Sequence, residues 1–262
     1  MTQSSPTPTG PLAGIRVVVT RPLAQAGRLA ALIEQAGGHA ILFPVIEILP
    51  LAEPAQQKRL TALLARLSAF DVAVFISPTA VSQAMPMITP PAASLRFAAV
   101  GSGTARELRR LGIDHVIAPE TAADSEALLA LPELQKVAGL RVIIFRGEGG
   151  RDVLGQTLTR RGAAVEFAEC YRRAKPAADP ALLFDAWRND GLHAITVTSS
   201  EGLRNLLEML GDEGRARLAT TRVFVPHPRI AEAALESGLR SVVLTGPGDE
   251  GLLRGLVEWA IA

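Results

Sequence analysis

Cysteine is nearly absent from this sequence, since Cys170 is the only one in 262 residues. An internal disulfide is therefore excluded, and no cluster of Cys and His residues has the spacing of metal ligands. We expect a protein of a reducing compartment, the cytoplasm, that uses no metal ion.

An excess of charge of one sign is also lacking. The chain has 27 basic and 26 acidic residues, for a net charge of +1. Proteins that bind nucleic acid or membrane surfaces normally carry a basic excess. We therefore expect neither of these as a partner.

No hydrophobic run is long enough to cross a bilayer. The most apolar stretch, 40–51, is interrupted by two prolines and a glutamate. Residues 1–11 lack the positive start and the apolar core of a secretory signal, and we interpret them as a disordered tail. A soluble protein is expected.

What the sequence does contain is a repeated phrase: GIRVVVTRP begins at Gly14, and GLRVIIFRG begins at Gly139. Short β-branched runs alternate with helical periodicity along the whole chain, as in parallel α/β units. The first repeat predicts strands at 16–19, 40–43, 72–76, 96–100 and 115–118. The second repeat predicts strands at 141–145, 164–167, 194–198, 222–225 and 241–244.

The two sets of strands are separated by nearly constant offsets of 122 to 126 residues, which indicates a duplicated five-stranded unit. After the second strand of each repeat comes a proline-containing segment of extended character, which we interpret as an interdomain linker. The predicted fold is α/β, with two similar domains that each contain a five-stranded parallel sheet flanked by helices in flavodoxin-like order. The predicted ranges are 12–44 with 176–262 for domain 1, 52–170 for domain 2, and 45–51 and 171–175 for the linkers.

Two linkers would act as a hinge, so the domains are expected to face each other across a cleft. Ligands of parallel sheets bind beyond the carboxyl ends of the strands, where helix N-termini begin. The residues at these ends are small, hydroxylated or cationic, and all of them suit the binding of an anion. In the first domain they are Thr20, Arg21, Ser199, Ser200 and His227. In the second domain they are Ser77, Thr79, Gly101, Thr104, Arg146, Gly147 and Arg151.

Each of these residues also has a structural interpretation. Ser77, Ser199 and Thr104 are ordinary helix-cap residues. The glycine-rich turns GSGTAR and GEGGRD match neither the dinucleotide fingerprint nor the P-loop, so nucleotide binding has weak support. Tyr171, the only tyrosine, lies in a predicted linker, where it either donates a proton to a ligand or packs over the hinge.

An ordered series of motifs resembles the uroporphyrinogen-III synthase family, particularly its bacterial members. The motifs are VVVTRP, FISPTAV, AVGSGTA, FRGEGGRDVLGQTLTRRGAAVEFAECYRR, TVTSSEGL and VPHPRIAEAA, and they run from about Gly14 to the C-terminus. The resemblance implies two α/β domains joined by two linkers. It implies a lyase that closes hydroxymethylbilane, a linear tetrapyrrole with eight carboxylates, into uroporphyrinogen III with inversion of ring D and loss of water.

The resemblance also implies roles for residues. Tyr171 matches the family tyrosine that assists departure of the hydroxide, and the pyrroles supply the electrons, so no cofactor is expected. Ser77, Thr79, Gly101, Thr104, Arg146, Gly147, Ser199, Ser200 and His227 fall on the substrate-binding motifs. The chain is expected to be a monomer, with hydroxymethylbilane synthase as a candidate transient partner.

Two other functions are compatible with the pattern. One is a two-domain module that closes on a small anion without catalysis, although such proteins usually carry a secretion signal. The other is nucleotide-sugar transfer across a two-domain cleft. Formation of uroporphyrinogen III from hydroxymethylbilane would distinguish the lyase from both.

Overall fold

A computed structural model describes residues 9–88, 94–120, 124–150, 152–189 and 191–262. The chain divides into two compact units. Unit 1 combines the chain up to Glu47 with Ala174–Ala262, and unit 2 is Ile48–Arg173. Arg151 and residues 1–8 of the predicted tail lie outside the described residues. Within that tail, Gly10 packs against the backbone at the end of the first helix, where a Cβ would lie 2.3 Å from Ala36 O.

The described residues form eleven strands. They are β1 (Arg16–Val19), β2 (His39–Leu42), β3 (Glu47–Leu49), β4 (Val72–Phe75), β5 (Arg96–Ala99), β6 (Val116–Ile117), β7 (Arg141–Gly147), β8 (Ala164–Ala174), β9 (Ala194–Thr196), β10 (Arg222–Val225) and β11 (Val242–Leu244). Ten of them match the predicted strands, and β3 was not predicted. β8 runs seven residues beyond its predicted end.

Eleven α-helices connect the strands in the described part of the chain. They are α1 (Leu23–Gln35), α2 (Pro54–Ala65), α3 (Pro78–Ala84), α4 (Ser102–Arg110), α5 (Ser125–Ala130), α6 (Pro132–Gln135), α7 (Val153–Arg160), α8 (Ala181–Asn189), α9 (Ser200–Leu218), α10 (Pro228–Glu236) and α11 (Gly248–Ala260). No helix among these residues is both long and apolar enough to span a membrane.

Unit 1 contains a five-stranded parallel sheet in the order β11-β10-β9-β1-β2. Unit 2 contains a six-stranded sheet in the order β3-β8-β7-β4-β5-β6. If β3 is set aside, each sheet places the first two strands of one repeat beside the last three strands of the other. When each strand is numbered 1 to 5 by its position within its own repeat, both sheets have the spatial order 2-1-3-4-5. The predicted flavodoxin-like order is therefore confirmed.

The prediction of two five-stranded sheets needs one correction. β3 lies within the predicted linker 45–51 and adds a sixth strand at the β8 edge of the unit 2 sheet. Most of the predicted linker 171–175 is likewise the end of β8. Both segments are extended, as their prolines indicated, but strand pairing fixes them in a sheet.

The unit 2 sheet is buried on both faces, as expected for parallel strands covered by helices. Ala73 and Phe75 of β4 face one core with residues of α2, α3 and α4. Val72 and Val74 face a second core with residues of α5, α6 and α7. In unit 1, α1 and α11 pack with one face of β1, where Val17 and Val19 are fully buried.

The duplication is also present in the backbone conformation. Gly14 and Gly139, which open the repeated phrase, have φ values of +77° and +78°. L-residues rarely adopt this left-handed conformation, so the same turn before the first strand of each repeat explains both glycines.

Candidate functional site

The carboxyl ends of neighbouring strands in unit 2 bring several predicted site residues to one edge of the sheet. Ser77 follows β4, Gly101 follows β5, and Gly147 ends β7. Tyr171 lies on β8, directly opposite Gly147 in the strand pairing. The sheet order β8-β7-β4-β5 therefore places these four positions in a row.

Tyr171 is the central side chain of this edge. It is 3% exposed and packs in the core that contains α2, α3 and α4. Its Oη lies 3.2 Å from Ser77 Oγ, and either atom can donate the hydrogen bond. The ring lies against Gly147. The phenol is thus held by protein on its ring and has a polar contact at its hydroxyl.

Helix starts account for the other predicted residues of unit 2. Ser77 caps α3, since its Oγ accepts a hydrogen bond from Ala80 N–H at 3.1 Å. Gly101 caps α4 with no side chain, and Thr104 is buried in the first turn of that helix. The prediction that Thr104 is a cap residue is therefore wrong, because the cap position belongs to Gly101. Thr79 is buried in the first turn of α3.

Arg146 has its guanidinium engaged by its own loop. Nε donates to Gly149 O at 3.1 Å, Nη2 donates to Gly150 O at 3.1 Å, and Nη1 pairs with Asp152 Oδ1 at 2.6 Å. The guanidinium also lies 4.7 Å from the ring centroid of Phe167. With 6% exposure and these partners, Arg146 closes the loop after β7. Three of its five N–H donors are thus engaged by acceptors of its own loop.

In unit 1, three of the predicted residues lie at helix starts. Ser199 caps α9 by accepting a hydrogen bond from Gly202 N–H at 2.9 Å, and Ser200 is the first helical residue. His227 caps α10, with Nδ1 accepting from Arg229 N–H at 3.2 Å, and its side chain is exposed. These positions follow β9 and β10, which are adjacent strands.

The two predicted residues after β1 have internal partners. Thr20 is buried, and its Oγ1 donates to Thr196 O at 2.7 Å. Arg21 forms an ion pair with Asp249 in the first turn of α11. The Arg21 side chain is thereby held within unit 1 through its Nη1.

Among the described residues, three buried polar side-chain atoms have no partner, and one of them, Arg172 Nε, is a donor that the sequence did not single out. These atoms are Gln56 Oε1, Arg172 Nε and Ser200 Oγ. Arg172 follows Tyr171 directly in the YRR motif. An unpaired buried donor costs free energy, and a ligand that accepts its hydrogen bond removes that cost. The charge of Arg172 beside the only tyrosine was the available sequence signal.

Cys170 lies beside Tyr171 but is not activated. Burial raises the pKa of its thiol to about 12. Its Sγ lies 3.3 Å from Arg146 O, consistent with a protonated thiol that donates a weak hydrogen bond. A thiol with such a pKa is not a nucleophile at neutral pH. Among the described residues, no group of three or more His, Cys, Asp or Glu residues is placed to hold a metal ion.

A comparison with protein-family models and curated proteins gives consistent matches. The family model described as uroporphyrinogen-III synthase HemD matches residues 27–254. The chain is 35% identical to the uroporphyrinogen-III synthase of Salmonella typhimurium over 248 residues, which cover 92% of this chain and 99% of that relative. It is 34% identical to the enzyme of Escherichia coli over 247 residues, with the same coverage.

Solved structures show the same fold. The uroporphyrinogen-III synthetase of Helicobacter pylori matches with a TM-score of 0.59 and 12% identity, covering 94% of this chain and 98% of that one. A mutant uroporphyrinogen III synthase from Thermus thermophilus matches with a TM-score of 0.57 and 21% identity, with the same coverage. At these identities the structural likeness concerns the fold alone.

Proposed function

The chain belongs to the uroporphyrinogen-III synthase family, and we propose that Tyr171 is the proton donor for its water-eliminating cyclisation. The substrate is the linear hydroxymethylbilane, and the product is uroporphyrinogen III with ring D inverted. The enzyme is a cyclising hydro-lyase. The non-catalytic anion-binding module is not favoured.

The elimination balances with one proton donor. The C–O bond at the hydroxymethyl carbon breaks, and the phenolic proton of Tyr171 goes to the departing hydroxide, which leaves as water. The pyrrole nitrogen of ring A supplies the electron pair, and ring D attacks the resulting azafulvene through its already substituted α-carbon to give a spiro intermediate. The bond between that carbon and the bridging carbon of ring C then breaks, and the free α-carbon of ring D attacks the bridging carbon, so that ring D is inverted. When the macrocycle closes, the hydrogen at the free α-carbon of ring D leaves as a proton and restores the phenol.

The observation that carries the proposal is the placement of the Tyr171 hydroxyl. It lies at the carboxyl edge of the unit 2 sheet, where parallel α/β sheets bind ligands. The ring of Tyr171 packs in an apolar core, and its hydroxyl lies 3.2 Å from Ser77 Oγ. A phenol has one hydrogen and can also accept, so one protein contact leaves capacity for the substrate. Exclusion of water strengthens such a contact.

Substrate carboxylates require donors, and we assign them to helix starts and to Arg172. The Gly101 cap of α4 has no side chain that bonds the first N–H groups of the helix. In the same unit, Arg172 Nε is buried and has no partner among the described residues. These features support binding of the polyanion at several points, which orders a flexible chain for closure.

Replacement of Tyr171 by Phe tests the proposal. The variant keeps the ring packed and loses only the proton donor, so we expect kcat to fall by roughly 10²-fold with little change in melting temperature. The measurement is turnover of hydroxymethylbilane with chromatographic separation of the type I and type III isomers. Unchanged kcat in Tyr171→Phe would overturn the role of Tyr171. Formation of type I alone by the unaltered protein would overturn the function itself.

The monomeric state, the cytoplasmic location and a transient contact with hydroxymethylbilane synthase stay predictions.

A further inference from the structure

A β-bulge determines the face of the sheet on which Tyr171 lies. Arg146 pairs with Glu169, and the next residue, Gly147, pairs with Tyr171, so Cys170 is left without a partner on β7. Earlier in β8, Phe167 packs in the core of α5, α6 and α7. Odd-numbered residues of a regular strand would all share that face. The extra residue instead places Tyr171 with Cys170 in the core of α2, α3 and α4.

Gly147 makes room for the ring of Tyr171. A Cβ added at Gly147 would lie 2.6 Å from Cε2 and 2.7 Å from Cζ of that ring. It would also lie 3.0 Å from Nη1 of Arg173. The φ angle of Gly147 is not positive, so space rather than backbone conformation requires a glycine. The backbone of Gly147 therefore forms the surface against which the ring of Tyr171 packs.

Ser77 can control the direction of the phenol hydrogen. Its Oγ already accepts the Ala80 N–H at 3.1 Å, and accepting a hydrogen bond makes a hydroxyl a better donor. If Ser77 donates its own hydrogen to Tyr171 Oη, the phenol hydrogen is left for the substrate. If Tyr171 donates to Ser77 instead, the phenol has no hydrogen for the departing hydroxide.

We propose that Ser77 and Gly147 are positioning residues that act on the substrate through Tyr171 rather than as carboxylate ligands. Gly147 fixes the ring, and Ser77 donates to the phenol oxygen both before and after the phenol proton moves to the departing hydroxide. This proposal rests on the role of Tyr171 as proton donor. It replaces the expectation, carried over from the family resemblance, that both residues bind substrate.

The first test observes the tyrosine directly and needs no turnover. Because Tyr171 is the only tyrosine, protein labelled with ¹³Cζ-tyrosine gives one tyrosine signal by NMR. We expect this signal to shift in Ser77→Gly and in Gly147→Ala and to return to its original position in Ser77→Thr, which keeps the hydroxyl. Glycine is tolerated at a helix N-cap, so Ser77→Gly is expected to fold.

Asp124→Gly is the matched control, because Asp124 caps α5 through the same type of bond, to Ala127 N–H at 2.8 Å. We expect this variant to leave the tyrosine signal unshifted. A signal that does not shift in Ser77→Gly, or that shifts equally in Asp124→Gly, overturns the proposal.

The second test is a double-mutant cycle in kcat. Ser77→Gly is expected to lower kcat about 10-fold with KM nearly unchanged, and to have no further effect in the Tyr171→Phe protein. Gly147→Ala is expected to lower kcat by roughly 10²-fold through displacement of the ring. Equal losses from Ser77→Gly in both backgrounds, or a rise in KM alone, overturn the proposal.

The two tests separate this proposal from the proposed function. Unchanged turnover in Tyr171→Phe would contradict the role of Tyr171 as proton donor. It would also contradict the expected kinetic coupling between Ser77 and Tyr171. An unshifted NMR signal in Ser77→Gly would contradict the positioning role of Ser77. The role of Tyr171 as proton donor would still stand if Tyr171→Phe turned over slowly.

Discussion

At the scale of single residues, Arg21 and Arg146 show that the role of an arginine depends on the acceptors to which the fold pairs it. Arg21 follows β1, whereas Arg146 lies near the end of β7. The sequence predicted both as anion-binding residues. Arg146 bonds to acceptors within six residues of itself, whereas Arg21 pairs with Asp249, which is 228 residues away. A guanidinium has five donors and pairs with whatever acceptors the fold supplies. Strand-end position alone therefore could not fix either function.

Cys170 provides a pH-dependent test at the same scale. Its folded pKa is raised to about 12 by burial, whereas an unfolded thiol titrates near ~8.5. The folded state thus favours the neutral thiol, so this contribution to stability is complete below the unfolded pKa and is lost as pH rises toward the folded pKa. Above pH 9 we expect wild type to lose about 1.4 kcal/mol per pH unit more than Cys170→Ala.

Urea unfolding of both proteins at pH 7, 9 and 10 measures this difference. Cys170→Ala is the control because it titrates the same groups except the thiol, so pH effects of all other residues cancel. Parallel pH profiles for the two proteins would contradict the expectation.

At the scale of elements, local signals predicted two helix starts, whereas β3 and the full length of β8 were not predicted. Ser77 and Ser199, at equivalent places in the two repeats, cap α3 and α9 with the same bond to the N–H three residues on. A cap is a local interaction that depends on a few neighbouring residues. β3 and the second half of β8 depend on pairing between distant segments, and the three-residue β3 has too few residues for a pattern.

A kink in α9 supports a prediction about this element. Gly211 has φ +60° and ψ −162°, a conformation that is accessible almost only to glycine, and a Cβ there would touch nothing within 4 Å. Gly211→Ala is therefore expected to lower the free energy of unfolding by about 1–3 kcal/mol through backbone strain alone.

Gly27 of α1 is the matched control. It is exposed, lies within a regular helix and also has open space around its Cβ position. Gly27→Ala is expected to raise the free energy of unfolding by roughly 0.5–1 kcal/mol, because alanine is the better helix former. Chemical denaturation of both variants measures the two changes, and changes of the same sign would contradict this account.

At the scale of the whole molecule, each of the two similar sheets contains two strands from one repeat and three strands from the other. β1 and β2 share a sheet with β9–β11, and β7 and β8 share a sheet with β4–β6. Unit 2 is continuous in sequence and has a core on each face of its sheet. Unit 1 needs two separate segments of the chain.

This difference predicts that unit 2 folds alone. A fragment of residues 47–174, which keeps β3 and β8 complete, is expected to show an α/β circular dichroism spectrum and cooperative urea unfolding. Its m-value should be roughly half that of the full chain, since m scales with the surface exposed on unfolding. The separate segment 174–262, which lacks β1 and β2, serves as the control and is expected to unfold without cooperativity. A non-cooperative transition for 47–174 would contradict the prediction.

The sequence by itself determined the strand order, the duplication, the family and the tyrosine, because these depend on periodicity, glycine turns and motifs that are local in the chain. Tertiary structure alone decided that Arg21 and Arg146 have internal partners, that the predicted linkers pair as strands, and that a bulge turns Tyr171 toward Ser77. Each of these outcomes depends on which distant atoms come within a few ångströms of each other. A one-residue change in strand register reverses the face on which a side chain lies, and only the folded sheet fixes that register.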